Sequence, residues 1–267
     1  MKRAGKAGGW VLVIHDVTQE REAQQRIKQQ ERLAAVGQLA AGIAHDFNNI
    51  MAVIFLYTEM GLRTPDIPEK LKDNLEIVIK QAQRATDLIE QILDFGRRTV
   101  LERKPMNLTP FLKEIIKLLQ RTLPESIQVD LTAGDDDYTV NADPTRIQQV
   151  IMNLAVNARD AMPDGGLFHI TIDEFQTEPS TDPPLPDLAS GLWVRIRVRD
   201  TGSGIPPDVL PHIFEPFFTT KPVGKGSGLG LAQVYGIVKQ HEGFLDVRTE
   251  VDVGTTFIIY LPHTPDQ

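Results

Sequence analysis

With 267 residues, of which 41% are apolar, 24% charged and 6% aromatic, the chain has the make-up of a folded protein of one large or two ordinary domains, which excludes wholesale disorder. Its 28 basic and 36 acidic residues give a net charge of -8, which argues against nucleic acid or an anionic membrane face as the main partner. Without cysteine there are no disulfides, thiolate metal sites or cysteine nucleophiles. No apolar run approaches the ~20 residues of a membrane span and no signal-peptide pattern opens the chain, so a cytoplasmic piece is expected.

Trp10 to Ile14 reads as a short strand with no visible partner, so either it pairs in a dimer or, the favoured reading, residues 1–18 are the end of a domain lying upstream. Asp16 or Thr18 then caps a helix that carries Glu20 and Glu22 in its first turn. The helical pattern runs from Gln19 to about Arg63, roughly 68 Å at the standard rise, with Val36, Ala40, Ile43, Phe47, Ile50 and Ile54 spaced alternately four and three apart. Pro65 and Pro68 interrupt it. A second helix from Glu69 to about Arg98 repeats the spacing through Leu71, Leu75, Val78, Ala82, Ala85, Ile89 and Ile92. Two such helices cannot enclose a core, so residues 19–100 are expected to form an antiparallel hairpin that dimerises into a four-helix bundle.

From Lys104-Pro105 onward the period changes, and residues 101–267 are expected to form a two-layer α/β sandwich with a mostly antiparallel sheet. Strands are expected near 126–132, 138–141, 167–175, 192–200, 244–249 and 255–261, and helices from Thr109-Pro110 to Leu119, Asp143-Pro144 to Met162 and Leu229 to His241. Residues 176–191 hold four prolines and form a surface excursion. In the strand at 192–200 Leu192, Val194, Ile196 and Val198 alternate with Arg195, Arg197 and Arg199, predicting one buried and one wet face.

Two places carry chemistry. His45 lies about 200° around the first helix from Ile43, the centre of the apolar stripe, and so points to solvent rather than into the seam. No second His or Cys stands at ligand spacing, which removes a zinc site. A neutral imidazole is a competent nucleophile, and Asp46 beside it can hold the ring tautomer and stabilise charge as it reacts. Asn49 follows one turn later on nearly the same face, and Ala41, Gly42 and Ala52 leave room for something bulky to approach. This stretch, with His45-Asp-Phe-Asn-Asn49 at its centre, resembles the phospho-accepting box of two-component sensor histidine kinases. The resemblance implies that His45 is phosphorylated, that Asp46 is its acid/base partner, and that Asn49 positions water for dephosphorylation.

In the second half, Asn153 and Asn157 share a helix face and offer amide oxygens suited to Mg²⁺. Asp200-Thr-Gly-Ser-Gly204 ends a strand, where a carboxylate accepts from an exocyclic amine and glycines admit a flat base. Gly224-Lys-Gly-Ser-Gly-Leu-Gly-Leu231 immediately precedes a helix, aiming backbone N–H groups at phosphate, with Lys221 and Lys225 supplying local positive charge. Neither a Walker A loop nor a dinucleotide fingerprint is present.

In this order the clusters resemble the catalytic domain of histidine kinases, a superfamily shared with DNA gyrase, Hsp90 and MutL. The resemblance implies a Bergerat-type ATP site. Asn153 and Asn157 would face Mg²⁺, Asp200 the adenine amine, and Gly202 and Gly204 the base. Residues from about 215 to 228 would form a mobile lid carrying Lys221, Lys225, Gly226 and Gly228 ahead of Leu229 and Gly230, and Thr256 would lie in a final glycine box. The strand near residue 10 resembles the end of a PAS sensor domain. Many relatives carry a basic residue three positions after the metal asparagine, where this chain has Asp160, so phosphate neutralisation falls more heavily on Mg²⁺ and the lid lysines.

The expected function is autophosphorylation of a homodimer at His45 from Mg-ATP and transfer to an aspartate of a response regulator, with phosphatase activity toward that regulator as a second capacity. An ATPase of the same superfamily is the rival, but its water-activating Glu would stand four residues before the metal asparagine, where Asn153 stands. A non-catalytic dimeric scaffold is the third reading, and intact motifs speak against it.

Overall fold

The computed structural model describes residues 47, 49–96, 101–134, 138–177, 188, 190–222 and 226–264. The expected strand near residue 10, the first half of the long helix with His45 and Asp46, the helical residues past 96, most of the 176–191 excursion and Lys225 lie outside the described residues.

Residues 49–62 form helix α1 and Glu69–Gly96 helix α2, joined by a turn in which Asp66 takes a φ of 58°, a conformation that short polar side chains tolerate. The chain folds back closely enough that a Cβ on Gly61 would lie 3.1 Å from Leu75 Cδ1. One turn before Gly61, Thr58 is buried and its hydroxyl donates to the Ile54 carbonyl at 2.6 Å; two turns beyond Leu75, Ala82 is buried as well. The heptad seam therefore divides. Leu75 and Ala82 serve the hairpin, while Leu71 and Val78 on α2, and Ile50, Val53, Tyr57 and Met60 on α1, remain exposed. Each helix thus carries a second apolar stripe beside the one the hairpin buries.

The rest of the chain runs β1 (Lys104–Asn107), α3 (Leu108–Thr122), β2 (Ile127–Ala133), β3 (Thr139–Ala142), α4 (Pro144–Ala161), β4 (Gly166–Thr177), β5 (Gly191–Asp200), α5 (Gly230–Gln240), β6 (Phe244–Glu250) and β7 (Gly254–Pro262). Five strands form one sheet in the order β2-β4-β5-β7-β6, parallel only between β2 and β4. The three helices cover one face, where Leu112, Leu119, Ile151, Leu154 and Val234 pack with Phe168, Ile170, Ile196, Val198 and Ile259. Burying one such side chain contributes about 1.5–3 kcal/mol, so this layer is the main source of the domain's stability.

Three expectations needed revision. β1 was not anticipated as a strand; it pairs antiparallel with β3 in a separate two-stranded sheet. Leu192, expected in the core, is exposed at the start of β5. The far face of the sheet is not simply wet, because Trp193, Ile258, Tyr260 and Leu188 form a second buried cluster there with Phe175 and Phe244 packed against it. Arg195 fits this face by laying its guanidinium 4.7 Å from the Phe175 ring centre while pairing both ends of Asp173, its cross-strand neighbour, at 2.9 and 2.6 Å.

The segment entering this domain is fastened at one junction. Asp143 caps α4 by accepting from the N–H groups of Thr145 and Arg146 at 3.0 and 3.3 Å, and its other oxygen accepts from the Glu102 N–H at 3.2 Å. Arg103 donates to Glu242 at 2.7 Å and to the Gln240 carbonyl at the end of α5. Between them His241 is buried as a neutral ring. Its Nε2 accepts from the Asp143 N–H at 3.0 Å and its Nδ1 donates to the Ile237 carbonyl at 2.8 Å.

Burial depresses the His241 pKa, with the Ile237 carbonyl opposing and the Arg103 charge reinforcing the shift. The unfolded imidazole titrates near ~6.5, so just below that pH the unfolded chain binds more protons than the folded one. Stability is therefore complete above about pH 6.5 and falls as the pH drops toward the folded value. Urea midpoints measured at stepped pH should decline below that point in the wild type and much less in His241→Gln; parallel curves for the two proteins would contradict this role.

Candidate nucleotide-binding site

A cleft of about 650 Å³ opens between α4, the end of β5, the segment after it and the start of α5, within the range of nucleotide-sized pockets. At its inner end Asp200 is buried, and its Oδ1 accepts from the N–H groups of Gly202 at 2.9 Å and Thr255 at 3.3 Å. The second carboxylate oxygen is left for whatever enters. Burial raises the Asp200 pKa, and the bonds from Gly202 and Thr255 only partly offset it.

The loop after β5 is held by close backbone approach. A Cβ on Gly202 would come within 2.7 Å of the Ala161 Cβ; Gly204, at φ 68°, would meet the Glu250 carbonyl at 2.1 Å. Gly204 lines the cleft, whereas Gly202 acts one layer back by letting the loop sit on the end of α4.

At the outer end Asn153 and Asn157 both face the cleft. The Asn153 amide nitrogen donates to the Gly230 carbonyl at 3.3 Å and to Gln233 Oε1 at 3.0 Å, tying α4 to α5. Asn157 Oδ1 accepts from the Lys221 ammonium at 3.4 Å, so that oxygen is already turned toward a cation. No side chain caps α5, and the Leu229 N–H is bonded to Ser227 Oγ at 3.4 Å. A Cβ on Gly230 would lie 3.9 Å from both amide groups, which places the bare first turn of α5 against the two asparagines. An uncapped helix start beside an amide oxygen and an ammonium suits a triphosphate.

The strip of residues 215–222 and 226–228 closes the outer wall through Phe218, Thr219, Lys221, Gly226 and Gly228. Its two arms are joined where the Phe217 N–H donates to the Gly228 carbonyl at 2.9 Å. Gly228 has a φ of 66° and lies so close that a Cβ would be 2.4 Å from the Phe217 backbone.

Two anticipated residues stand elsewhere. Thr256 is on the far face of β7; Thr255 lines the cleft, because Thr255 shares strand parity with Phe257 and Ile259, which face the helices. Leu229 is buried and does not line the cleft. Sequence reasoning missed Gln233, which has no signature of its own, quoted Ser227 only as part of the glycine run, and did not anticipate that Asp160 pairs with Lys221. Among the described residues no cluster of three or more His, Cys, Asp or Glu could hold a metal, so an ion here would rest on amide oxygen and on phosphate. Among the same residues no helix is long and apolar enough to cross a membrane.

The fold and cleft define a nucleotide-binding α/β domain behind a helical hairpin. Residues 142–265 match the family of histidine kinase-, DNA gyrase B-, and HSP90-like ATPases, and residues 35–100 match the His Kinase A (phospho-acceptor) domain. The chain is 41% identical over 252 residues to the sensor kinase CckA of Brucella abortus (strain 2308), covering 94% of this chain and 27% of that protein. It is 32% identical over 240 residues to the sensor histidine kinase ZraS of Escherichia coli (strain K12), covering 90% of this chain and 48% of that one. Among solved structures, full-length ShkA in complex with AMPPNP superposes with a TM-score of 0.69 at 22% identity over 86% of this chain and 46% of that chain. The histidine kinase ThkA in complex with the response regulator protein TrrA gives 0.57 at 28% identity over 94% and 69%. The chain belongs to the two-component sensor histidine kinases, and it spans between 27% and 48% of the length of these two curated relatives.

If Asp200 receives the adenine amine, Asp200→Asn should weaken ATP binding by about 1–3 kcal/mol, because the amide leaves a donor opposed to a donor or unpaired. Calorimetric titration of the two proteins measures this; equal affinities would remove Asp200 from recognition.

Proposed function

We propose that the chain transfers the γ-phosphoryl group of ATP to His45 and passes it to an aspartate of a response regulator. A histidine nitrogen attacks the γ-phosphorus, the bond to the β,γ-bridging oxygen breaks, ADP leaves, and Asp46 receives the imidazole proton. The observation that favours a kinase over a hydrolase is the state of the cleft's carboxylates. Among the described lining residues these are Asp160 and Asp200. Asp160 is engaged by Lys221 and Arg159 at 2.6 and 2.7 Å, and Asp200 sits at the inner end. Position 153, where a water-activating carboxylate is wanted, holds an amide that is spent on α5. With no base poised for water, a positioned side chain is the acceptor.

Asn157, with Asn153 beside it, would hold Mg²⁺ together with phosphate oxygens. Bound there, such an ion would supply neutralisation of the charge developing on the transferred group. Lys221 and Lys225 would hold the phosphates, and the backbone at Gly204, Gly226, Gly228 and Gly230, which line the cleft, would lie against the ligand. Since His45 and the cleft lie in different domains and must dock, positioning together with charge neutralisation would supply most of the catalysis.

The exposed stripes on α1 and α2 support a homodimer, because a second hairpin laid against them completes a four-helix core. A response-regulator partner is supported by the likeness to ThkA, which was solved with one. Residues 1–18 are read as the end of a PAS-like sensor domain, 19–100 as the dimerisation and phosphotransfer domain, and 101–267 as the ATP-binding domain.

Incubation with γ-labelled Mg-ATP should give an acid-labile, base-stable label that His45→Gln abolishes while nucleotide binding persists. Label surviving that substitution would overturn the assignment. Asn49, exposed on α1, should act on the regulator instead. Asn49→Ala is expected to retain autophosphorylation but slow loss of phosphate from purified phospho-regulator by about tenfold, roughly 1.4 kcal/mol in the barrier. Equal rates would leave Asn49 as helix surface.

A further inference from the structure

Helix α4 presents an acidic residue, Asp160, one turn beyond Asn157 on the wall of a cleft suited to a polyanion. By itself this carboxylate repels phosphate. It does not stand by itself. Its Oδ2 receives the Lys221 ammonium at 2.6 Å, and its Oδ1 receives Arg159 through Nε at 3.0 Å and Nη2 at 2.7 Å. The same ammonium lies 3.4 Å from Asn157 Oδ1, so one lysine from the strip bridges two side chains of α4.

The strip is shaped around this contact. The Lys221 N–H donates to Thr219 Oγ1 at 3.1 Å, fixing the turn from which the side chain leaves. Gly226 on the opposite arm lies beneath the lysine stem. A Cβ there would be 3.1 Å from Lys221 Cδ and 2.9 Å from Thr219 Oγ1. Lys221 and Asp160 keep 31% and 26% of their side-chain surface exposed, enough for a ligand to reach the ammonium without breaking the pair. Burial pushes the Asp160 carboxyl up, but the bonds and charges of Lys221 and Arg159 outweigh it and hold the group below the usual carboxylate value, so it stays ionised at neutral pH.

Resting on the reading of this cleft as an ATP site, we propose that Asp160 is a positioning residue, drawing Lys221 from the strip onto α4 so that its ammonium stands beside Asn157 where the terminal phosphates arrive. The Lys221 ammonium is thus brought from the strip to a wall that already carries Arg159 of α4. Asp160 acts solely through the lysine. The sign of its effect accordingly depends on its partner: with Lys221 present it favours the triphosphate, and without Lys221 it is left with Arg159 alone and brings only its own negative charge to the cleft.

That reversal is the test. Dissociation constants for ATP and for AMP are measured with Mg²⁺ on the wild type, Asp160→Asn, Lys221→Met and the double variant, with hydrogen exchange of residues 215–222 followed in parallel. Asp160→Asn should weaken ATP about tenfold in the wild-type background and speed exchange in the strip, with AMP, which lacks the outer phosphates, changed less than about twofold. In the Lys221→Met background the same substitution should leave ATP affinity unchanged or improve it. Tighter ATP binding by Asp160→Asn in the wild-type background would make Asp160 a plain repulsive charge and overturn the proposal. Equal losses in both backgrounds would overturn it too, since Asp160 would then act without the lysine. Wild-type protein that fails to bind ATP at all would instead remove the nucleotide reading on which the proposal stands.

Discussion

The nucleotide domain is organised around one buried carboxylate. Asp200 ends β5 in the middle of the sheet, and one of its oxygens is fixed by the N–H groups of Gly202 and Thr255. For those bonds to form, the chain must turn at once onto the end of α4 and lie against the turn between β6 and β7. Gly202, Gly204 and Gly254 permit this, since a Cβ at any of them would fall within 2.1 to 2.8 Å of Ala161, Glu250 or Asp200 atoms. A charge taken from water is costly unless it is paired. Here the partners are backbone dipoles that spend one oxygen and orient the other, so the interaction that holds the loop together also leaves a directed acceptor in the cleft.

The outer end follows a different rule. The chain is acidic overall, with 36 acidic and 28 basic residues, so a polyanion has to be met by local arrangement: the bare start of α5, the amides of Asn153 and Asn157, and a lysine brought from the strip. Asn153 joins α4 to the first turns of α5, and at its other end α5 meets the segment leading to the helical hairpin, through Arg103 and Gln240. One eleven-residue helix therefore touches both the phosphate end of the cleft and the segment that leads toward His45.

Much of this was legible from the chain itself. Asp143-Pro144 announces the start of α4, and the alternation after Leu192 announces β5, because capping and strand parity are local rules. The glycine clusters around 202 and 228 located the cleft for the same reason: only certain backbone shapes let two chain segments approach so closely. Other features depended on residues far apart in sequence. β1 became a strand because β3 lies beside it, and Trp193 was buried because Leu188, Ile258 and Tyr260 meet it across the sheet. Thr255 rather than Thr256 reached the cleft through strand parity that was available and not applied. Asp160 stood out as a departure in the sequence, but its partner 61 residues away is visible only in three dimensions.

The most direct test of the account is whether the inner end of the cleft reads the amine of adenine through Asp200. Wild-type protein should be titrated with ATP and with the triphosphate of unsubstituted purine riboside, which has the same phosphates and ring but no exocyclic amine. At least tenfold weaker binding of the analogue, about 1.4 kcal/mol, is the result this account predicts. Equal affinity for the two would mean that the Asp200 carboxylate does not face the base, and the site would have to be rebuilt from its outer end.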